Sequence, residues 1–177
     1  KKCRSLQDIV IATSTNLDDD PIADFANEYG VKPVRGPENN VLARFLMVAQ
    51  ELHPEVIVRI TGDAPLIEPS MIDRLVGILI KKQVGYITGE LGVPCIHEGV
   101  DPFTTYALEK LAKEAGHDPA ACEHVSGYFK EHPEFVPIEY VPIDQEYQFS
   151  GARVSVDTMA DIQFLESVHE NLDARAG

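Results

Sequence analysis

The sequence predicts an α/β fold built on a mostly parallel sheet. Short runs rich in β-branched residues alternate with stretches whose apolar residues recur at helical spacing. Two of those runs, ending near Gly62 and at Asp157, deliver a carboxylate where a strand stops. No repeat or low-complexity linker interrupts the 177 residues, so residues 1–177 read as a single domain.

The elements follow in order. Lys1 to Arg4 reads as the last turn of a helix, because basic residues suit a helix C-terminus. Asp8 to Thr13 is a strand apolar enough to be buried on both faces. Asp20 and Pro21 suit a helix start, Ile22, Phe25, Ala26 and Tyr29 mark one face, and Gly30 stops it. Val31 to Val34 is a brief strand, and Arg35 to Asn40 a polar loop. Asn40 can cap a helix carrying Val41, Leu42, Phe45, Ala49 and Leu52, closed by Pro54. Val56 to Ile60 is the next strand, which Gly62 and Pro65 end.

Beyond Pro69 a helix presents Met71, Ile72, Leu75, Ile78 and Leu79, and Val84 to Thr88 is a strand. Gly89 to Phe103 has no helical period and reads as a long loop, a place where function concentrates. A helix from Tyr106 to Ala115 ends at Gly116. Asp118-Pro119 starts another that runs to about Lys130, with Cys122, Val125 and Phe129 inward. Phe135 to Val141 is β-prone, and Gln145 to Gly151 is a turn-rich connector. Arg153 to Val156 is a strand, terminated by Asp157. Thr158 and Asp161 form a capping-box pattern before a last helix with Ile162, Leu165, Val168 and Leu172.

Lys plus Arg is 15 and Asp plus Glu is 29, a formal charge of −14. Nucleic acids and anionic membranes demand a basic footprint, so neither is an expected partner. No apolar run approaches the ~20 residues of a membrane span and no signal peptide is visible. Cys3, Cys95 and Cys122 are odd in number and widely spaced, which argues against a zinc site or a disulfide framework. A reduced, cytoplasmic protein is the expectation.

Asp63 and Asp157 share a context. If their strands lie parallel, both carboxylates emerge on the rim where open α/β sheets bind ligands. Two carboxylates can hold Mg²⁺ while triphosphate oxygens and water complete its octahedron. Each aspartate also suits a simpler role, Asp63 capping the next turn and Asp157 capping a helix with Thr158. Gly62 lets a ligand approach the backbone beside Thr61. Arg59 interrupts an apolar strand one step before the rim, so it needs a partner or a ligand. Arg35 suits a solvated surface, or else phosphate or base recognition, and Arg44 suits a surface ion pair. Glu98 and Asp101 in the long loop could grip sugar hydroxyls, ligate a metal or form a polar turn. His124 suits a ligand or a structural role. Asp18-Asp19-Asp20 contains a D-x-D like the metal motif of many glycosyltransferases, but its place before Pro21 favours helix initiation.

Several strings occur together and in order: Arg35-Gly36 with Asn40-Val41-Leu42-Ala43-Arg44-Phe45, Val58-Arg59-Ile60-Thr61-Gly62-Asp63-Ala64-Pro65-Leu66-Ile67, Glu123-His124-Val125 and Val156-Asp157-Thr158. With them the chain resembles, over nearly its whole length, the spore-coat polysaccharide biosynthesis cytidylyltransferases, relatives of the acylneuraminate and 3-deoxy-manno-octulosonate cytidylyltransferases. The resemblance implies a three-layer α/β/α, Rossmann-like fold of the nucleotide-diphospho-sugar transferase type. It implies transfer of CMP from CTP to an acidic or related sugar, with Mg²⁺ on Asp63 and Asp157. It places Arg59 near the ribose or phosphates, the stretch from Arg35 through Asn40 to Arg44 near the base and sugar, and Thr61, Gly62 and Asp101 among the binding residues. It also suggests a homodimer.

Two departures stand out. The family's opening strand and basic, glycine-containing phosphate loop have no counterpart here, and the Gly99-Val100-Asp101-Pro102-Phe103 stretch lacks a Glu usual in that motif. The missing strand is central in this fold. The expectation is therefore either a trimmed part of a longer protein or direct pairing of the strands at Asp8 and Val56. Two further readings remain: a glycosyltransferase with its metal on Asp18-Asp19-Asp20, and a non-catalytic nucleotide-binding module.

Overall fold

The computed structural model describes residues 3–90, 92–93, 95, 99–148 and 155–176. In chain order the elements are β1 (Val10–Ser14), α1 (Asp20–Glu28), β2 (Lys32–Gly36), α2 (Val41–Leu52), β3 (Val56–Ile60), α3 (Pro69–Lys82), β4 (Tyr86–Gly89), β5 (Val100–Thr104), α4 (Thr105–Ala115), α5 (Pro119–His124), α6 (Ser126–Glu131), β6 (Ile138–Val141) and α7 (Met159–Ala176). β1 pairs with β2 in parallel, and a second sheet has the order β3-β5-β4-β6. The strands run parallel except β5, which is antiparallel to both its neighbours.

Helices cover both faces of the four-stranded sheet. Tyr86 and Phe103 point to a core built with Leu42, Leu108, Leu111 and Phe129, on the side of α2, α4 and α6. Their alternates Ile87 and Val100 join Met71, Ile72, Leu75 and Leu79 of α3 on the other side. The strand period of two thus splits one sheet between two cores and yields the three layers.

β1 and β3 do not pair: the ladder of β1 is with β2 and that of β3 with β5. The rearranged pairing is therefore not formed. β3 is only partly buried along its length, and Ile60 at its end is 43% exposed.

Five expectations need correction. The segment at Gly89–Phe103 holds a buried strand, β5, disguised by Pro102 in its interior. Cys3 to Ser5 is not a helical turn, because the Arg4 and Ser5 N–H groups donate to the Asp73 carboxylate rather than along a helix. Arg35 and Gly36 belong to β2 rather than a loop. The helix expected from Pro119 to Lys130 breaks at Val125, whose φ of 51° is strained for a β-branched residue. Arg153 and Val154 of the strand expected there lie outside the described residues, and Ser155 and Val156 are not in a strand. All three cysteines are free thiols.

Candidate active site

β3 delivers Asp63 to the carboxyl-end rim through a tight turn in which the Ala64 N–H donates to the Thr61 carbonyl. The Asp63 carbonyl accepts from the Val156 N–H at 2.8 Å, which brings the Asp157 turn against this loop. The backbone beside Asp157 thus lies against that of Asp63. Other residues cap the helices that follow: Glu68 caps α3, and Thr158 with Asp161 caps α7, the Asp161 Oδ2 accepting from the Thr158 N–H and Oγ1. Asp63 Oδ1 is buried and accepts no hydrogen bond. An orphaned carboxylate oxygen is costly unless a cation or donor fills it. Two carboxylates form a hard oxygen set that fits Mg²⁺, which keeps water and phosphate as its other ligands. No group of three or more His, Cys, Asp or Glu that could hold a metal converges among the described residues.

Beside the rim lies a cavity of about 470 Å³, floored by the ends of β3, β4 and β6 and the start of β5. Its buried centre is Asp101, 3% exposed. The β3–β5 register sets Arg59 directly opposite Asp101, and their charged ends lie 3.5 Å apart. Lys130 of α6 reaches the other carboxylate oxygen at 3.1 Å. The Tyr86 hydroxyl donates to Asp101 Oδ1 at 2.6 Å and the Ser126 hydroxyl to Oδ2 at 2.9 Å. Burial, with the Asp101 charge beside it, pushes the Tyr86 phenol far up, so it stays a donor. The strained Val125 is what turns Ser126 inward: the break it makes between α5 and α6 sets Ser126 at the start of α6. Tyr86, Ser126 and Lys130 escaped sequence reasoning, since none carries a motif; a buried Tyr on a short strand was the one available signal.

Gly99 links cavity and rim. Its φ is +89°, and a Cβ placed there would lie 2.8 Å from Thr61 Oγ1. Gly99→Ala should therefore push the Thr61–Asp63 turn away and cost about 1–3 kcal/mol of strain. Activity should fall more than tenfold; retention of full activity with unchanged Tm would show that the turn does not depend on this approach.

The other candidates are placed as follows. Arg35 stitches β2 to the preceding loop, donating to the Ser14 and Asn16 carbonyls and to Asp20. Asn40 caps α2 by accepting from the Ala43 N–H. Arg44 donates to the Pro37 and Glu38 carbonyls and so shapes the loop before α2. Gly62 is exposed beside Asp63. His124 lines the cavity, while Glu98 lies outside the described residues. In the D-x-D stretch, hydrogen bonds from Ser14 and Thr13 hold the Asp19 carboxyl below its ordinary value, and Asp20 pairs with Arg35. Those carboxylates are spent on local structure. No helix among the described residues is long and apolar enough to cross a membrane.

The sequence profile of the cytidylyltransferase family matches residues 1–174. An uncharacterized protein of Methanocaldococcus jannaschii is 33% identical over 173 residues, which are 98% of this chain and 70% of that protein. The spore coat polysaccharide biosynthesis protein SpsF of Bacillus subtilis is 26% identical over 167 residues, 94% of this chain and 69% of SpsF. Among solved structures, a cytidylyltransferase from Leptospira borgpetersenii superposes with a TM-score of 0.85 at 27% identity, covering 94% of this chain and 70% of that one. These findings bear out the resemblance read from the sequence.

Proposed function

Because the chain belongs to the cytidylyltransferase family, we propose that it transfers CMP from CTP to a sugar hydroxyl, releasing pyrophosphate, as a cytoplasmic step in surface-polysaccharide synthesis. Its fold is the α/β nucleotide-diphospho-sugar transferase type, and its class of activity is nucleotidyl transfer. The observation that carries the reading is the buried, unpartnered oxygen of Asp63 beside the Asp157 turn.

In this reading Asp63 and Asp157 hold Mg²⁺. The cation supplies charge neutralisation and alignment of the α-phosphate for in-line displacement. The acceptor hydroxyl oxygen bonds to the α-phosphorus, the bond to the pyrophosphate oxygen breaks, and the hydroxyl proton passes to water. Thr61, Gly62 and Gly99 shape the approach between rim and cavity. Arg59 acts as a positioning residue: its contact with Asp101 ties β5 to β3 and so fixes the cavity next to Asp63. Proximity of this kind is a major part of catalysis when the protein does little covalent chemistry itself.

The test is pyrophosphate release by the full-length protein, with CTP, UTP, ATP or GTP and a panel of sugars. Release with CTP should exceed that with the other nucleotides at least tenfold. No release from CTP with any sugar would overturn the proposal.

A further inference from the structure

One buried residue decides which side chains face the cavity. The stretch from Pro119 to Glu131 carries helical spacing, yet α5 ends at His124 and α6 begins at Ser126. Between them Val125 holds φ 51° and ψ −85°, near a γ-turn geometry that is rare and strained. A β-branched residue is among the least suited to a positive φ. The Val125 N–H closes α5 on the Ala121 carbonyl at 3.1 Å, and its carbonyl opens α6 by accepting from the Tyr128 N–H at 3.3 Å. Its isopropyl group is fully buried, in the core that includes Phe103, Leu108 and Phe129. That burial offsets the strain of the turn.

The break changes which residues share a wall. Successive residues of an unbroken helix turn by about 100°, so His124 and Ser126 would project about 200° apart. Here both line the cavity, together with Gly127 and Lys130. The Ser126 hydroxyl is buried and donates to Asp101 Oδ2 at 2.9 Å, the oxygen that Arg59 meets at 3.5 Å. Beyond the turn the chain folds back closely, since a Cβ on Gly127 would lie 3.0 Å from the His124 Cβ. Full burial walls Val125 off from the cavity, so it reaches a ligand only through these neighbours.

Resting on the cytidylyl-transfer reading, with the triphosphate at the Asp63 rim and the acceptor in the cavity beside it, we propose that Val125 is a positioning residue for the acceptor sugar. Its anchored, strained turn sets His124 on the cavity wall and ties Ser126 to Asp101. Val125→Gly and Val125→Ala both delete the isopropyl anchor. Glycine enters positive φ freely, whereas alanine favours one continuous helix. Apparent affinity falls with the fraction of molecules that hold the turn, so the effect belongs in KM. The substrate used is the sugar that gives the most pyrophosphate release from CTP. With it, full-length Val125→Ala is expected to show a sugar KM about tenfold above that of Val125→Gly, with kcat and the KM for CTP within about twofold. Backbone carbon chemical shifts of the ligand-free proteins should be helical at position 125 in Val125→Ala alone. Equal sugar KM values, an effect on kcat or on CTP instead, or a turn that persists in Val125→Ala overturns the proposal. Ser126→Ala leaves Val125 in place and should raise the sugar KM about fivefold. An unchanged KM in that variant also overturns it. Absence of release by the wild type with every sugar sinks the transferase reading, whereas release with equal KM values sinks this proposal alone.

Discussion

Asp63→Asn is expected to lower kcat for pyrophosphate release by about 100- to 1,000-fold, which corresponds to roughly 3–4 kcal/mol of lost transition-state stabilisation. The same substitution should leave Tm unchanged or raise it. Asp63 Oδ1 is buried without a hydrogen bond, so among the described residues no donor compensates that oxygen. Asparagine removes that charge. Loss of activity with retained stability is the mark of a group kept for its ligand rather than for the fold. A thermal-shift titration adds a direct reading: Mg²⁺ with CTP should raise the Tm of the wild type by mass action and leave the variant nearly unmoved. Full activity in Asp63→Asn, or the same Mg²⁺-dependent shift, would remove Asp63 from the metal site.

Asp101→Ala is expected to act in the opposite way, first on the fold. It strips the counter-charge from Arg59 and Lys130, whose side chains are 18% and 37% exposed. Breaking a buried pair by deleting one partner costs ~3–5 kcal/mol, and the partial exposure of both cations argues for about the lower figure. For a domain of this size about 3 kcal/mol lowers Tm by roughly 6–12 °C. Tyr86→Phe provides the comparison. It removes one donor while Asp101 keeps Ser126, Arg59 and Lys130, so the loss should be about 1 kcal/mol. Similar Tm values for both variants would mean that the two cations do not depend on Asp101. Circular dichroism melts on the two proteins decide it.

These two carboxylates also show what could be seen in the chain before folding. Asp63 was legible because its signal is local: an apolar run, a glycine and a proline in sequence place a carboxylate at a strand end. Asp157 was read as a strand end too, but Ser155 and Val156 before it are not in a strand, and it is the tertiary bond from the Val156 N–H to the Asp63 carbonyl that sets its backbone beside Asp63. Most helices were legible too, since their caps lie next to their apolar faces: Asn40 before α2 and Thr158 with Asp161 at α7. Asp101 was visible only as a loop residue. Its strand is short, contains Pro102 and runs antiparallel, so neither alternation nor the strand–helix rhythm exposed it. The bend at Val125 was hidden for the reverse reason: its residues carry a good helical pattern, and tertiary demand overrides it.

Local order along the chain, then, was enough for the α/β class, the helix starts and the aspartate at the end of β3, because each depends on neighbours a few residues apart. The cluster at Asp101 was not, because Arg59, Tyr86, Asp101, Ser126 and Lys130 come from four separate elements, β3, β4, β5 and α6. No spacing rule links such residues. Sheet register and one strained backbone angle bring them within hydrogen-bond reach, and the burial of Asp101 then makes their pairing a condition of the fold.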